Sequence, residues 1–180
     1  MSRIPLPGVD RQPEAIRQFM ARRGELNLFR LLANAPHVFA GWTRMVDEML
    51  DSPTFSPRLR ELITLRVAHL QDSRYERSQH LGLARAAGLT DAEINAITGD
   101  LAAVEFGPSE RVVLDLITEL CTTHRVRDDI FAAARDALGD AAVTELLMTV
   151  SCYYGLALVL NATDLDIDAA VRLHVNGRVS

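Results

Sequence analysis

SPRLRELITLRVAHLQDSRYERSQH, residues 56–80, is the stretch that decides the fold. It begins with Ser56 and Pro57, a helix start signal, because serine caps a helix N-terminus and proline fits the first helical turn. Apolar residues fill the following turns and predict an apolar helix. A polar helix is predicted from Ser73 onward and ends at Gly88. The stretch therefore predicts two consecutive helices of unlike character.

Helical patterns continue along the rest of the chain, and no segment shows the alternation typical of strands. Thr90 and Glu93 form a capping-box signal, and Gly139 is a stop signal between two late helices. Besides the two helices above, we expect helices at about residues 13–23, 27–33, 36–50, 90–97, 108–123, 127–138 and 141–161. The prediction is an all-α, single compact multi-helix domain over residues 1–180, with eight or nine helices.

Composition limits the classes of partner. The chain has 180 residues, 48% of them hydrophobic, and a formal net charge of −5 from 24 acidic and 19 basic residues. This length suffices for one domain with a full core. Nucleic acid is not an expected partner, because phosphate contacts need a concentrated basic face and the arginines here are scattered.

The longest apolar stretch, residues 146–160, is shorter than the about 20 residues that span a bilayer. It predicts a buried central helix and no membrane partner. The first residues contain no apolar core of a signal peptide. The expected location is therefore cytoplasmic.

The two cysteines, Cys121 and Cys152, are far apart in the sequence and form no CxxC motif. This usage is typical of a reducing compartment without a disulfide framework. Both are interpreted as small buried apolar residues.

Three side chains form a candidate acid–base group. Glu61 interrupts an apolar helix, where a carboxylate needs a partner or stays protonated. Glu76 and His80 lie four residues apart and share a helix face, with Ser73 three residues before Glu76. Simpler interpretations stay open: Glu61 in a salt bridge to an arginine such as Arg58, Glu76 and His80 as a surface ion pair, and Ser73 as a helix cap.

The same residues resemble the carboxymuconolactone decarboxylase family, which includes the thiol-dependent alkylhydroperoxidase D-type proteins. The redox branch carries a Glu, then a CxxC, then a His four residues after the second Cys. At these positions the chain has Glu61, Ser73, Glu76 and His80, so both thiols are absent. The lactone decarboxylases of the family also lack the CxxC and carry Glu and His in this spacing. The resemblance is strongest over residues 58–97.

The resemblance implies an all-α fold of the alkylhydroperoxidase D-like type, with residues 36–165 as the family core and residues 1–35 as N-terminal extension helices. It implies a homo-oligomer, a trimer or hexamer, with a dimer as another option. The implied activity is that of a cofactor-free carbon–carbon lyase. Such an enzyme would decarboxylate a small cyclic carboxylic acid or lactone of the 4-carboxymuconolactone type in aromatic-compound breakdown.

We expect His80 to donate a proton to the dienolate left by decarboxylation, with Glu76 orienting its ring and Glu61 hydrogen-bonding the lactone. No metal is expected, because the histidines form no ligand motif. Two other functions stay open: a non-catalytic helical oligomer that binds a small molecule, and a peroxide-reducing antioxidant protein. The expected catalytic residues are Glu61, Glu76 and His80, and the expected substrate-binding residues are Ser73, Tyr75, Arg77 and Trp42, with Arg58 as another candidate for a substrate carboxylate.

Overall fold

The computed structural model describes residues 2–168, 174–175 and 178–179, and it confirms the all-α prediction. Two 3-10 turns lie at Val9–Arg11 and Leu101–Ala103. Two-residue strands, β1 (His174–Val175) and β2 (Arg178–Val179), pair antiparallel. The helices are α1 (Glu14–Arg23), α2 (Asn27–Leu32), α3 (Pro36–Asp51), α4 (Pro57–Leu70), α5 (Arg74–Ala86), α6 (Asp91–Ile97), α7 (Pro108–Thr123) and α8 (Asp128–Thr163).

The helix ends follow the local signals in the sequence. The Ser56 hydroxyl accepts a hydrogen bond from the Leu59 N–H at 3.2 Å and caps α4. Thr90 and Glu93 form the reciprocal capping box that opens α6. Gly139 has φ +80 inside α8, which breaks this helix at the stop signal predicted there.

The chain separates into two compact units, Met1–Pro53 with Leu160–Ser180 and Thr54–Val159. In the first unit, Phe19 packs its ring edge-on against Phe29, with the ring centroids 4.8 Å apart. Arg23 in this unit donates to Asp47 at 2.8 Å and to Asp51 at 2.7 Å. The single-domain assignment and its boundaries at residues 35 and 165 stay predictions.

Helix α4 is the centre of the second unit and packs against α5, α6 and α7. Every residue from position 60 to position 68 of α4 is buried, so the helix has no solvent-facing side over this length. A helix that is buried on all faces must satisfy its polar side chains internally. This explains why Glu61 lies in the protein interior rather than at the surface.

Helix α8 is long and apolar enough, by length and composition, to cross a membrane. In the most apolar 18-residue segment of α8, 44% is buried within the protein. Core helices of soluble proteins pass the same test, so this feature is weak evidence for a membrane span.

Arg58 connects three helices of the second unit. Its guanidinium donates to Glu110 at 2.7 Å, to Glu93, and to the Gly88 carbonyl at 3.2 Å. The hydrogen bonds from Arg58, together with those from Thr90, lower the pKa of Glu93 to about 2. Arg58 therefore has a structural role here, and our suggestion that it binds a substrate carboxylate has no support.

We predict that Glu93→Gln lowers the free energy of unfolding by about 1–2 kcal/mol at pH 7, because it removes the charge that pairs with Arg58. Glutamine can keep the capping box, so the change isolates the ion pair. The folded-state pKa of Glu93 is depressed, so its contribution is present above its ordinary value of 4.5 and is lost as the pH falls through about 2. Urea unfolding between pH 7 and pH 2 measures this.

Glu105→Gln is the control, since Glu105 is an exposed acid of the same unit. A Glu93→Gln variant as stable as this control at pH 7 would contradict the role given to Arg58.

Candidate functional site

A tight turn between α4 and α5 brings the candidate acid–base residues together. Asp72 in this turn has the left-handed φ of +49, and the Ser73 N–H donates to the Ala68 carbonyl at 2.8 Å. The chain therefore reverses over few residues and lets α5 pack directly on α4. As a result Glu61 on α4 contacts His80 on α5, although 19 positions separate them in the sequence.

His80 lies between two carboxylates. Its Nδ1 is 2.8 Å from Glu61 Oε2, and its Nε2 is 3.4 Å from Glu76 Oε2. Glu61 and His80 are 6% exposed and Glu76 is 3% exposed. The interpretation of Glu76 and His80 as a surface ion pair is therefore wrong, because both residues belong to a buried triad with Glu61. The shorter contact belongs to Glu61, so Glu61 rather than Glu76 holds the imidazole ring in place.

The two carboxylates keep His80 protonated. Burial by itself lowers the pKa of an imidazole, but the charge of Glu61 and the hydrogen bonds to Glu61 and Glu76 raise the pKa of His80 to about 10. At neutral pH His80 is therefore an imidazolium cation, with each N–H directed at a carboxylate. Such a group is a proton donor that is largely shielded from solvent.

Tyr153 on α8 forms one wall of the triad. Its ring meets the His80 ring edge-on, with centroids 5.5 Å apart and an interplanar angle of 87°. Burial, with the charges of Glu76 and Glu61, raises the pKa of the Tyr153 hydroxyl, which stays neutral beside Thr64. Tyr153 was not among the site residues expected from the sequence. An aromatic residue with a hydroxyl inside the apolar α8 was the available signal.

Two polar atoms beside the triad are buried and have no hydrogen-bond partner among the described residues: Ser73 Oγ and Glu76 Oε1. Ser73 occupies the N-cap position of α5, but its side chain makes no capping hydrogen bond. The interpretation of Ser73 as a simple helix cap is therefore wrong. Both atoms belong to residues that are at least nine-tenths buried, so bulk solvent does not supply the missing hydrogen bonds.

The other predicted binding residues differ in exposure and in the unit to which they belong. Tyr75 is buried, and Arg77 is exposed on α5. Trp42 lies in the first unit, where its ring is 5.7 Å from that of Phe39. Among the described residues, no group of three or more His, Cys, Asp or Glu side chains is arranged to hold a metal ion. The binding roles of Tyr75, Arg77 and Trp42 stay predictions.

We predict that His80 remains a cation at pH 8, and that Glu61→Gln lowers its pKa more than Glu76→Gln does, because Glu61 makes the shorter contact. Imidazole nitrogen shifts, followed by NMR from pH 5 to pH 11, measure this. The raised folded-state pKa stabilises the fold fully below an ordinary value of about 6.5, and this contribution is lost as the pH rises through about 10.

A His80 that titrates near pH 6.5 in the wild type would contradict the buried triad. The same result would favour the non-catalytic alternative. Glu105→Gln again serves as the control, because its carboxylate is exposed.

Comparison with known proteins agrees with this geometry. Residues 36–119, which include Glu61, Ser73, Glu76 and His80, match the carboxymuconolactone decarboxylase family. No curated protein matches the chain.

Solved structures with the same fold are similar in length to this chain. One is the alkylhydroperoxidase D core of an uncharacterised peroxidase-related protein from Ralstonia eutropha JMP134, with a TM-score of 0.78, 20% identity and coverage of 93% of this chain and 92% of that chain. An uncharacterised peroxidase-related protein from Silicibacter sp. TM1040 has a TM-score of 0.79, 15% identity and the same coverages of 93% and 92%. At these identities the likeness concerns the fold alone.

A third structure is that of an Agrobacterium tumefaciens protein of unknown function, proposed to be an antioxidant defence protein of the alkylhydroperoxidase D type. It has a TM-score of 0.70 and 16% identity, and the match covers 77% of this chain and 95% of that chain. Residues 36–119, which hold the triad, thus match the carboxymuconolactone decarboxylase family, and the chain shares its all-α fold with alkylhydroperoxidase D-like structures.

Proposed function

We propose that this protein is a cofactor-free acid–base lyase that decarboxylates a small cyclic carboxylic acid or lactone of the 4-carboxymuconolactone type. The observation that carries the proposal is the buried His80 imidazolium held between Glu61 and Glu76. Decarboxylation without a cofactor needs a proton donor for the carbanion that forms, in a place that excludes water. The triad supplies both.

The proposed reaction has two steps. The bond between the ring carbon and its carboxylate breaks, CO2 leaves, and the electron pair delocalises into the lactone as a dienolate. A proton then passes from His80 Nε2 to the dienolate carbon through Glu76, which takes it on Oε2 and delivers it from its carboxyl group. Solvent returns a proton to His80 at the end of the cycle, so the protein is unchanged.

Each member of the triad has a separate role in this scheme. Glu76 is the catalytic residue that meets the substrate, because its Oε1 has no partner among the described residues. His80 carries the proton before it is transferred. Glu61 is a positioning residue, since it holds Nδ1 at 2.8 Å and keeps the ring charged. Glu61 therefore acts through His80, in contrast to our expectation that it contacts the lactone.

The peroxidase alternative has less support, although two structural neighbours are peroxidase-related proteins. Thiol-dependent peroxide reduction needs a reactive thiolate and a second thiol. Burial raises the pKa of the Cys121 thiol to about 11, so this thiol is protonated at neutral pH. The CxxC positions hold Ser73 and Glu76, whose oxygen atoms do not form disulfides.

We also propose that the protein is a cytoplasmic homo-oligomer. On the outer side of α8 in the second unit, Met148 is 56% exposed and Leu158 is 53% exposed, which is unusual for large apolar side chains on one helix. Contact with a second copy would cover them. Light scattering of the purified protein gives the mass that tests the assembly.

We predict that the wild type releases CO2 from 4-carboxymuconolactone, and that His80→Ala and Glu76→Gln each lower kcat by about 10²–10⁴-fold, because each removes a step of the proton transfer. Glu61→Gln should lower kcat less and shift its pH profile to lower pH. Ser78→Ala, an exposed change on α5, is the control. Loss of ultraviolet absorbance and CO2 trapping measure turnover.

Full activity of folded His80→Ala would overturn the scheme. A wild type that turns over neither this lactone nor other cyclic carboxylic acids would overturn the lyase proposal and favour the binding protein.

A further inference from the structure

Ser73 is the N-cap residue of α5 and Glu76 lies three residues further on, in the first turn, so their side chains are neighbours on the helix surface. We call Ser73 Oγ and Glu76 Oε1 the polar pair. Ser73 is 1% exposed and Glu76 is 3% exposed, and neither atom has a partner among the described residues. A buried polar atom without a partner costs about 1–3 kcal/mol, and more when it is charged. A ligand group that hydrogen-bonds both atoms would recover this free energy, so the pair is suited to recognise a specific chemical group.

The charge of the triad limits which group can bind. Two carboxyl groups, those of Glu61 and Glu76, face the single imidazole of His80, so acidic groups outnumber the basic group in the triad. His80 Nε2 lies 3.4 Å from the other oxygen of Glu76, Oε2. Tyr153, which packs against His80 of the triad, is neutral. A carboxylate brought to this position would meet a carboxylate oxygen at close range in a low-dielectric interior, where repulsion is strong.

The hydrogen-bonding capacity of the pair further limits which ligand group can bind. A carboxylate oxygen only accepts, while the serine hydroxyl both donates and accepts. An uncharged hydroxyl group fits this pair directly, because it donates to Glu76 Oε1 and accepts from the Ser73 hydroxyl. An ammonium group has three donors to satisfy and costs more to desolvate, and one carboxylate oxygen with one hydroxyl does not satisfy it.

We infer that Ser73 and Glu76 bind an uncharged hydroxyl group of the substrate and select against a carboxylate at that position. This inference rests on the proposed function in one respect, that the triad is where the substrate reacts. Within the proposed substrate class, it predicts a preference for lactones or cyclic acids that present an alcohol, enol or protonated carboxyl O–H to Glu76. Any ionised carboxylate of the substrate is then held away from this pair.

Three saturated lactones that differ in one substituent test the inference: γ-butyrolactone carrying a hydroxymethyl, a methyl or a carboxylate group on the same ring carbon. None of them needs to react, so binding is measured alone, by calorimetry at pH 7. We expect the wild type to bind the hydroxymethyl lactone at least about tenfold tighter than the methyl lactone, and the carboxylate lactone weakest of the three.

The variants then assign the effect to the pair. Ser73→Ala should reduce the hydroxymethyl preference to about threefold or less, because the donor to the ligand oxygen is lost. Glu76→Gln should reduce it as well and should raise the affinity for the carboxylate lactone at least about fivefold, since the repelling charge is gone. Ser78→Ala and Glu105→Gln are the matched controls and should behave as the wild type does.

The wild-type order of affinities decides the inference even if a variant does not fold. Tightest binding of the carboxylate lactone, equal binding of all three, or no binding of any at 10 mM, an order-of-magnitude ceiling for weak ligands, would overturn it. These results are distinct from failure of the proposed function, because a protein that selects the hydroxymethyl lactone but decarboxylates nothing keeps the inference and loses the lyase.

Discussion

The structure depends on one constraint: a carboxylate placed in a helix that has no solvent-facing side. Glu61 lies within a run of α4 in which every residue is buried, and an isolated charge there would be very costly. The chain satisfies it with His80 from the next helix, at 2.8 Å. Because this contact needs one relative placement of the two helices, it favours a single register of α5 on α4. Breaking one side of such a pair is far more costly than never forming it.

The carboxylate of Glu76 makes the ion pair of Glu61 and His80 a candidate functional site. One oxygen of Glu76 faces the imidazolium, and the other faces no protein partner among the described residues. The imidazole of His80 therefore lies between two carboxylates, of which only that of Glu76 keeps an oxygen without a partner among the described residues. A structural ion pair would have both carboxylate oxygens satisfied. The difference between the two oxygens of Glu76 is what makes this cluster a candidate for chemistry.

Most of the fold could be predicted from the sequence, because its signals are local. Ser56, the Thr90 and Glu93 capping box, and Gly139 each act within one helical turn, and each lies where the pattern indicated. The contacts across helices could not be predicted in the same way. Spacing along the sequence shows that Glu76 and His80 share a face, but only packing shows that Glu61 makes the shorter contact.

Contacts between distant parts of the chain also explain why some site residues were predicted less accurately. Arg58 was a plausible anion-binding residue by type, yet its position at the start of α4 places it between Glu93 and Glu110. The sequence did not identify Tyr153 as a site residue. Within an apolar helix, nothing local distinguishes an aromatic residue that packs on a titrating group from one in the core. For such residues, the neighbours that decide the role come from elsewhere in the chain.

The superfamily scaffold supports different chemistry according to two positions, and this chain illustrates the physical reason. The positions held by Ser73 and Glu76 lie in the first turn of α5, next to a buried histidine. Thiols there would be activated by a nearby cation and the helix N-terminus, and could exchange electrons. A carboxylate in the second position instead lies 3.4 Å from the histidine, and in the proposed mechanism it passes on a proton. Under this proposal the fold fixes where the reactive groups meet, while the side chains at these positions decide whether electrons or protons are transferred.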